Sequence, residues 1–572
     1  MASTLYIVSV IWCLLLPTAS SGQGLNFSIP NGWRNGTSLT LDSLIPLAQN
    51  AVNSVKPLTD STNGTNYALD TWQSANLLAS ISQLDYVSGS KDHYDLVYKS
   101  ISAFQGSHPM FFDSQILRNT TSDPLMWALA AFYGWRAYND AALQDIAVEV
   151  WNQVQASVVV NQTISDSGTL QTKDNSTFET GCSSVMHKTL RGAVLQHMTD
   201  PSNAESKART VGAYVALSAH LWNSTQDSRY YTAANDSIQF IHDNLYSNSS
   251  HTIQDTFDLS SCQVQDPHQW TINQGFLIEG LSVLISASDS TWTSLFQTLV
   301  QSSTNSSEWT NGTGVINEPS LQQDPTKQDP TQDSAHFTYK NALINALLET
   351  WSWQSQASNS DTMNMAKYVK AFVDVQFNAL RNLSTLNNGS YPPVWTSESP
   401  LNTQVPWGQL AALPVLNAEV LFANRLSAAS GPATSTSSTS PTPSGAPPSG
   451  SHASTSSRSL HGGAIAGIVV GAIAGAALLV VAAFLARRYK RRAAERKDRE
   501  VRIRTFNPSA MYRQREDAGA AGELPVGHIV KDRHGYGSGQ TYVGTPPLGD
   551  LDGMKPLAPS PFTEKATAGR GA

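Results

Sequence analysis

Cysteine is almost missing from the 572 residues, which hold three in all. Cys13 sits in an apolar run, Leu5 to Leu16, that is too short to cross a bilayer and is followed by Pro17 and the small residues Ala19, Ser20, Ser21 and Gly22. Residues 1–22 therefore read as a secretory signal peptide, although no Lys or Arg precedes the run. Its removal leaves Cys182 and Cys262, an even pair in an oxidising compartment, expected as one disulfide with two buried free thiols as the alternative. Charge is scarce too, at 14% of residues, and residues 1–486 carry 19 basic against 34 acidic side chains, which argues against nucleic acid as a partner. His187, His197, His220, His242, His251, His268 and His336 do not pair with carboxylates or cysteines at ligand spacing, so no metal is expected. A phosphate-cradling glycine loop and a serine nucleophile elbow are both lacking, and no cofactor is implied.

What is present is strongly ordered along the chain. Thirteen Asn-X-Ser/Thr sequons begin at Asn26, Asn35, Asn63, Asn119, Asn161, Asn175, Asn223, Asn235, Asn248, Asn305, Asn311, Asn382 and Asn388, and none usable follows, since Asn507 precedes Pro508. That asymmetry marks one side of the apolar stretch 462–486 as exposed to glycosylation. The stretch is long enough for one transmembrane helix, and Arg487, Arg488, Lys490, Arg491 and Arg492 at its end put the C-terminal side in the cytoplasm. The expected protein is a type I single-pass glycoprotein of the plasma membrane with an extracellular ectodomain. Residues 427–461 are rich in Ser, Thr, Pro, Ala and Gly and read as a stalk, and 487–572 as a disordered cytoplasmic tail. Gly463, Gly467, Gly471 and Gly475 form a repeated Gly-X-X-X-Gly face, which fits either a homodimer contact or simple small-residue filling.

Within 24–426 apolar residues recur at helical spacing, broken by short polar turns. Leu69 to Tyr86 with a second helix marked by Tyr94 to Ile101, Trp127 to Ala137 with Leu143 to Val154, Val215 to Trp222 with Tyr230 to Leu245, Phe276 to Ile285 with a helix from Trp292, and Phe337 to Trp353 with Met363 to Leu380 form five helix pairs. Trp407 to Leu426 reads as one arm of a sixth. The irregular spacing and the loop-like stretches 155–205, 246–270 and 302–335 argue against an open solenoid. The expected fold is all-α, an (α/α)6 toroid with its long loops around one mouth.

Four strings on these repeats, Ser122 through Ala130, Lys207 through Gly212, Trp270-Thr271-Ile272-Asn273-Gln274-Gly275, and Phe337-Thr338-Tyr339-Lys340, resemble glycoside hydrolase family 76, the α-1,6-mannanases and their fungal cell-wall relatives. The resemblance implies a cleft for α-mannan or a related mannosyl glycan, and hydrolysis or transglycosylation by a pair of adjacent aspartates. Retaining chemistry needs two carboxyl groups about 5 to 5.5 Å apart. Carried over, the acid/base falls on Asp123, while the first aspartate's position is taken by Ser122, whose hydroxyl is no substitute. Asp123 before Pro124 also suits a helix start, and a non-catalytic glycan receptor or scaffold is the rival reading. Asp70, Asp113, Asp266 and Asp333 are available as replacement carboxylates. Trp72, Trp127, Trp270 and Trp395 have faces suited to sugar rings, with Trp72 and Trp127 also on core-like stripes, and Asn273 and Gln274 supply amides for sugar hydroxyls.

Overall fold

The computed structural model describes residues 25–429 apart from Asn26, Ser38, Ser61, 109–110, 112–119, 161–167, 183–188, 198–202, Ser288, Asn311, 319–334, 357–358, 384–385, 387–388 and 397–403. The expected signal peptide, most of the stalk, the transmembrane segment with its glycine face, and the tail lie outside the described residues, as do Asp113 and Asp333. Among the described residues no helix is long and apolar enough to cross a membrane.

Twelve helices of thirteen residues or more carry the fold: α1 Leu41–Val55, α2 Thr71–Ser88, α3 Tyr94–Ser107, α4 Ser122–Tyr138, α5 Ala141–Val154, α6 Ala208–Thr225, α7 Ser228–Asn244, α8 Thr271–Ser286, α9 Thr293–Asn305, α10 Lys340–Gln354, α11 Ser360–Leu383 and α12 Pro406–Ala429. The even-numbered helices pack on one another in the order α2, α4, α6, α8, α10, α12 and back to α2, which closes a ring. The odd-numbered ones lie outside it.

Sequence explains the two layers. Inner helices are buried on nearly every side: α8 is covered from Thr271 to Leu284 and α2 from Gln73 to Asp85. Outer helices bury one stripe, as α1 does with Leu44, Ala48, Ala51, Val52 and Val55. Two of the inner-to-outer connections share one device. Asn139 and Gln226 end α4 and α6 in the left-handed region, at φ 57° and 58°, and the next residues, Asp140 and Asp227, accept the N–H of Ala142 and Arg229 to start α5 and α7.

Five hairpins were legible in the periodicity. The sixth closes differently: α1, at the beginning of the domain, packs against α12 at its end. The loop-like stretches carry five short strands, paired antiparallel as β1 Thr169–Gln171 with β2 Thr177–Glu179, and β3 Glu205–Lys207 with β4 Thr256–Asp258 and β5 Gln263–Asp266. Cys182 and Cys262 are joined in a disulfide, with Cα atoms 4.8 Å apart and a sequence separation of 80. It ties the segment after β2 to the β4–β5 turn. Replacing both by Ser is expected to lower stability by about 2–4 kcal/mol, read as a downward shift in denaturation midpoint that reducing agent reproduces in the wild type but not in the variant.

The inner ring depends on glycine at its tightest crossings. A Cβ on Gly275 would stand 2.5 Å from the carbonyl carbon of Ala342, and one on Gly280 would stand 3.1 Å from the amide nitrogen of Ala216. These contacts set α8 against α10 and α6. Gly275→Ala is expected to cost about 1–3 kcal/mol, because the obstacle is backbone on α10 and not a movable side chain. A thermal midpoint equal to that of the wild type would contradict this.

Candidate active site

The inner helices all run in one direction, so their starts share one end of the ring. Each start leaves N–H groups without intrahelical partners and carries partial positive charge, which favours carboxyl groups there. At this mouth lie Trp72 on α2, Asp123 on α4, Arg209 on α6, Trp270 before α8 and Tyr339 before α10.

Asp123 is held from several elements. Its Oδ2 accepts from the Thr71 hydroxyl at 3.0 Å and its Oδ1 from Thr120 at 2.9 Å, with the Ser122 hydroxyl at 3.4 Å. The carboxyl is partly exposed but surrounded by protein on most sides. Burial pushes its pKa up, and the hydroxyls of Thr120, Thr71 and Ser122 with the charge of Arg209 only partly offset this. A carboxyl so placed keeps its proton to higher pH than a surface aspartate, as a general acid must. Ser122 is buried, and its hydroxyl lies 3.4 Å from the Thr120 hydroxyl as well.

Arg209 sits between two carboxylates. The charges of Tyr339, Asp255 and Asp123 oppose the effect of burial and hold its guanidinium above the usual range. The small β3–β4–β5 sheet brings Asp255 there: β3 runs straight into α6, and the Asp255 carbonyl accepts the N–H of Ala208 at 2.7 Å. The Asp255 carboxylate is buried and accepts from Asn273 Nδ2 at 3.1 Å and from Thr256 at 2.8 Å.

Aromatic rings line the other side. Trp270 stacks on His336 at 4.9 Å and on His268 at 5.7 Å, and meets Tyr339 edge-on at 5.7 Å; Trp72 lies 6.0 Å from Tyr339. Behind them, Glu318 accepts the first N–H of α8, from Thr271, at 2.9 Å. It faces Lys340, the first residue of α10, whose ammonium lies 4.7 Å from the Trp395 ring. Burial pulls Lys340 down to about 8 against the charge of Glu318, and pushes Glu318 up. This pair fixes the starts of α8 and α10, and with them Trp270 and Tyr339.

The structure sorts the residues singled out from sequence. Asp123 stands at the mouth. Trp270 lies there too but is buried beside His268 and His336, and Asn273 is fully buried with its amide donating to Asp255, so neither is an open sugar contact as expected. Trp127 corrects an expectation: it is fully buried and stacked on Phe104 at 3.8 Å and 8°, so it is a core residue and not a sugar platform. Trp395 is likewise fully buried. Gln274 is spent on backbone, donating to the carbonyls of Ile253 and Trp270 and accepting from the N–H of Ile253, so its amide is not free for a ligand. Among the replacement carboxylates, Asp70 forms a capping box with Gln73 at the start of α2, and Asp266 pairs with the exposed His268. Sequence reading missed Asp255 and Glu318, single carboxylates in loop-like stretches. Arg209, Tyr339 and Lys340 lie inside matching strings, each of which spans the start of an inner helix. Among the described residues no group of three or more His, Cys, Asp or Glu is placed to hold a metal.

The fold is a closed ring of paired helices, a helical toroid with carboxyl and aromatic side chains at its mouth. Residues 195–418 match the model of glycosyl hydrolase family 76. The match covers α6 to most of α12 and begins beyond Asp123. Solved structures of the same fold include two inactive variants of an α-1,6-mannanase of Salegentibacter sp. HEL1_6, each with two adjacent aspartates replaced. The variant bound to α-1,6-mannotetraose aligns at 14% identity and TM-score 0.51, and the one bound to α-1,6-mannotriose at 14% and 0.52; each alignment covers 66% of this chain and 99% of the other. Dfg5 of Chaetomium thermophilum in complex with glucosamine aligns at 11% identity and TM-score 0.49, over 68% of this chain and 90% of the other. No curated protein matches the chain.

Proposed function

We propose that the mouth binds an α-mannosyl glycan and that Asp123 protonates the glycosidic oxygen, making the domain an α-1,6-mannosidase-like hydrolase or transglycosylase of cell-wall glycans. The observation that carries this reading is the Asp123 carboxyl: half-enclosed at an aromatic-lined mouth, held by three hydroxyls and an arginine, and raised in pKa by burial. Trp72, His268 and His336 offer partly open ring faces for pyranose stacking. Support also comes from the mannanase variants, in which two adjacent aspartates were replaced to give inactive proteins that hold α-1,6-mannooligosaccharides.

Ser122, at the position that the resemblance gives to the first aspartate, cannot form a glycosyl ester that water would then cleave. Among the described residues, Asp255, whose charge acts on Arg209 as that of Asp123 does, is a second carboxylate near the mouth. The buried Ser122 also favours a second reading, a surface receptor or scaffold that binds the glycan without cleaving it. In either case we place the domain outside the plasma membrane on a single-pass anchor, on the strength of the sequons and the apolar stretch 462–486 with its basic flank.

The test uses the full-length protein, purified in detergent and incubated with α-1,6-mannotetraose. Shorter products show hydrolysis, longer ones transfer, and calorimetry measures binding. Binding without products, together with turnover gained on Ser122→Asp, selects the receptor reading. Absence of both binding and products overturns the two together.

A further inference from the structure

A cavity of about 390 Å³ opens on the flank of the ring and shares none of its lining with the residues named at the mouth. It lies between the chain that follows α5, the β1–β2 turn and the first turns of α7. Three cations line it, Lys173, Arg191 and Arg229, against one carboxylate, Asp236. With Asp236 on Arg191 and Asp227 on Arg229, the local surplus is one positive charge, in a chain whose first 486 residues carry 19 basic and 34 acidic side chains.

The pairing of these cations leaves charge to spare. Arg191 uses Nε on Asp236 at 2.8 Å, and among the described residues its two terminal nitrogens have no further acceptor. Arg229 is held by Asp227, the residue that caps α7, through Nε and Nη2. Lys173 donates to the neutral amide oxygen of Gln155. Burial and the nearby charge of Arg229 lower the Lys173 pKa. The lining also includes Ser228 and Arg229, the first residues of α7, so the helix dipole adds to the same positive field.

The remaining walls limit the ligand. Val158, Val159 and Val160 make an apolar side, while Gln155 and Thr232 supply hydrogen-bonding groups. Tyr214, the one aromatic residue in the lining, is fully buried and bonded to Gln155, so no ring face is offered to a nucleobase. A bare phosphate would occupy a small part of the space.

We propose that this flank cavity binds a phosphorylated monosaccharide, with the phosphate among Lys173, Arg191 and Arg229 and the sugar against the valine wall. A phosphate monoester carries close to two negative charges at neutral pH and oxygens that can accept from all three cations. The site is separate from the mouth and independent of the reading given there.

Lys173 and Arg229 are exposed, so their replacement leaves the core intact. Mannose 6-phosphate is titrated into the full-length protein by calorimetry, alongside mannose and inorganic phosphate. Saturable binding of the phosphosugar is expected, at least tenfold tighter than either fragment. The double variant Lys173→Gln/Arg229→Gln is expected to weaken it tenfold or more, with binding of α-1,6-mannotetraose unchanged. The proposal is overturned if mannose 6-phosphate does not saturate the wild type, if inorganic phosphate binds equally well, or if the double variant binds the phosphosugar as the wild type does.

Discussion

Replacing Asp123 by Asn is expected to lower kcat on α-1,6-mannotetraose by about 10²–10⁴, the range that general acid catalysis contributes, with little change in KM. The same substitution is expected to make the protein more stable at neutral pH. Because burial raises the pKa of Asp123 above its ordinary value of 3.8, the folded state holds this proton more tightly than the unfolded chain does. Below the unfolded pKa both states are protonated and the group has no effect. As pH rises through that value the unfolded chain ionises first, and the side chain begins to destabilise the fold. Asn removes this penalty, so the gain in thermal midpoint should be present at pH 7 and fade toward pH 3. In the wild type, activity should fall on the alkaline side as Asp123 ionises. A variant with wild-type kcat would remove Asp123 from the chemistry, and one without the pH-dependent gain in stability would leave the carboxyl in a more solvated setting than described.

Arg136→Met is expected to have the largest effect on stability. Ten residues of α4 separate Asp123 from Tyr133, about 15 Å of helix, and at that depth a polar network crosses the ring. Arg136 donates to both oxygens of Glu349, at 2.9 and 2.6 Å, and its guanidinium lies 4.6 Å from the rings of Tyr86 and Tyr133. Beside it, Glu279 accepts from Tyr133 at 2.5 Å and lies 2.9 Å from His220 Nε2. Burial alone would push Glu349 up, but Arg136 outweighs it and holds the carboxyl below its usual value. Removing the guanidinium strands a buried carboxylate, for a loss of about 3–5 kcal/mol. In a domain of this size that is roughly 4–6 °C in thermal midpoint. Arg136→Met with Glu349→Leu should regain part of the loss, since an apolar pair of similar volume leaves no stranded charge. A depressed carboxyl contributes stability above its unfolded pKa and loses it as pH falls through the folded one, so the wild type should weaken in acid more steeply than the double variant. Equal stability of single and double variants would contradict this account.

The ring was legible because helix pairs announce themselves locally, as apolar stripes broken by polar turns such as Tyr138-Asn139-Asp140. The helix α1 was not. It stands apart from its partner by almost the whole domain, contains Pro46, and earns its place only by packing on α12. The site divides in the same way. Asp123 and Trp270 sit in strings that start inner helices, so sequence could point to them. Asp255 and Glu318 reach the mouth through pairing of distant segments, β3 with β4 and Glu318 with the start of α8, and nothing beside them in sequence marks that. Trp127 and Gln274 show the opposite failure: residue types suited to sugars, on helices whose every side is covered.

The direction of α12 has one more consequence. This helix begins at the mouth with Pro406 and ends at Ala429 on the far side of the ring, 24 residues later, or about 36 Å. The polypeptide therefore departs from the floor, and the opening faces away from the point of departure. A pull applied at residue 429 would therefore act on the floor of the ring and leave the residues around Asp123 at the opposite end.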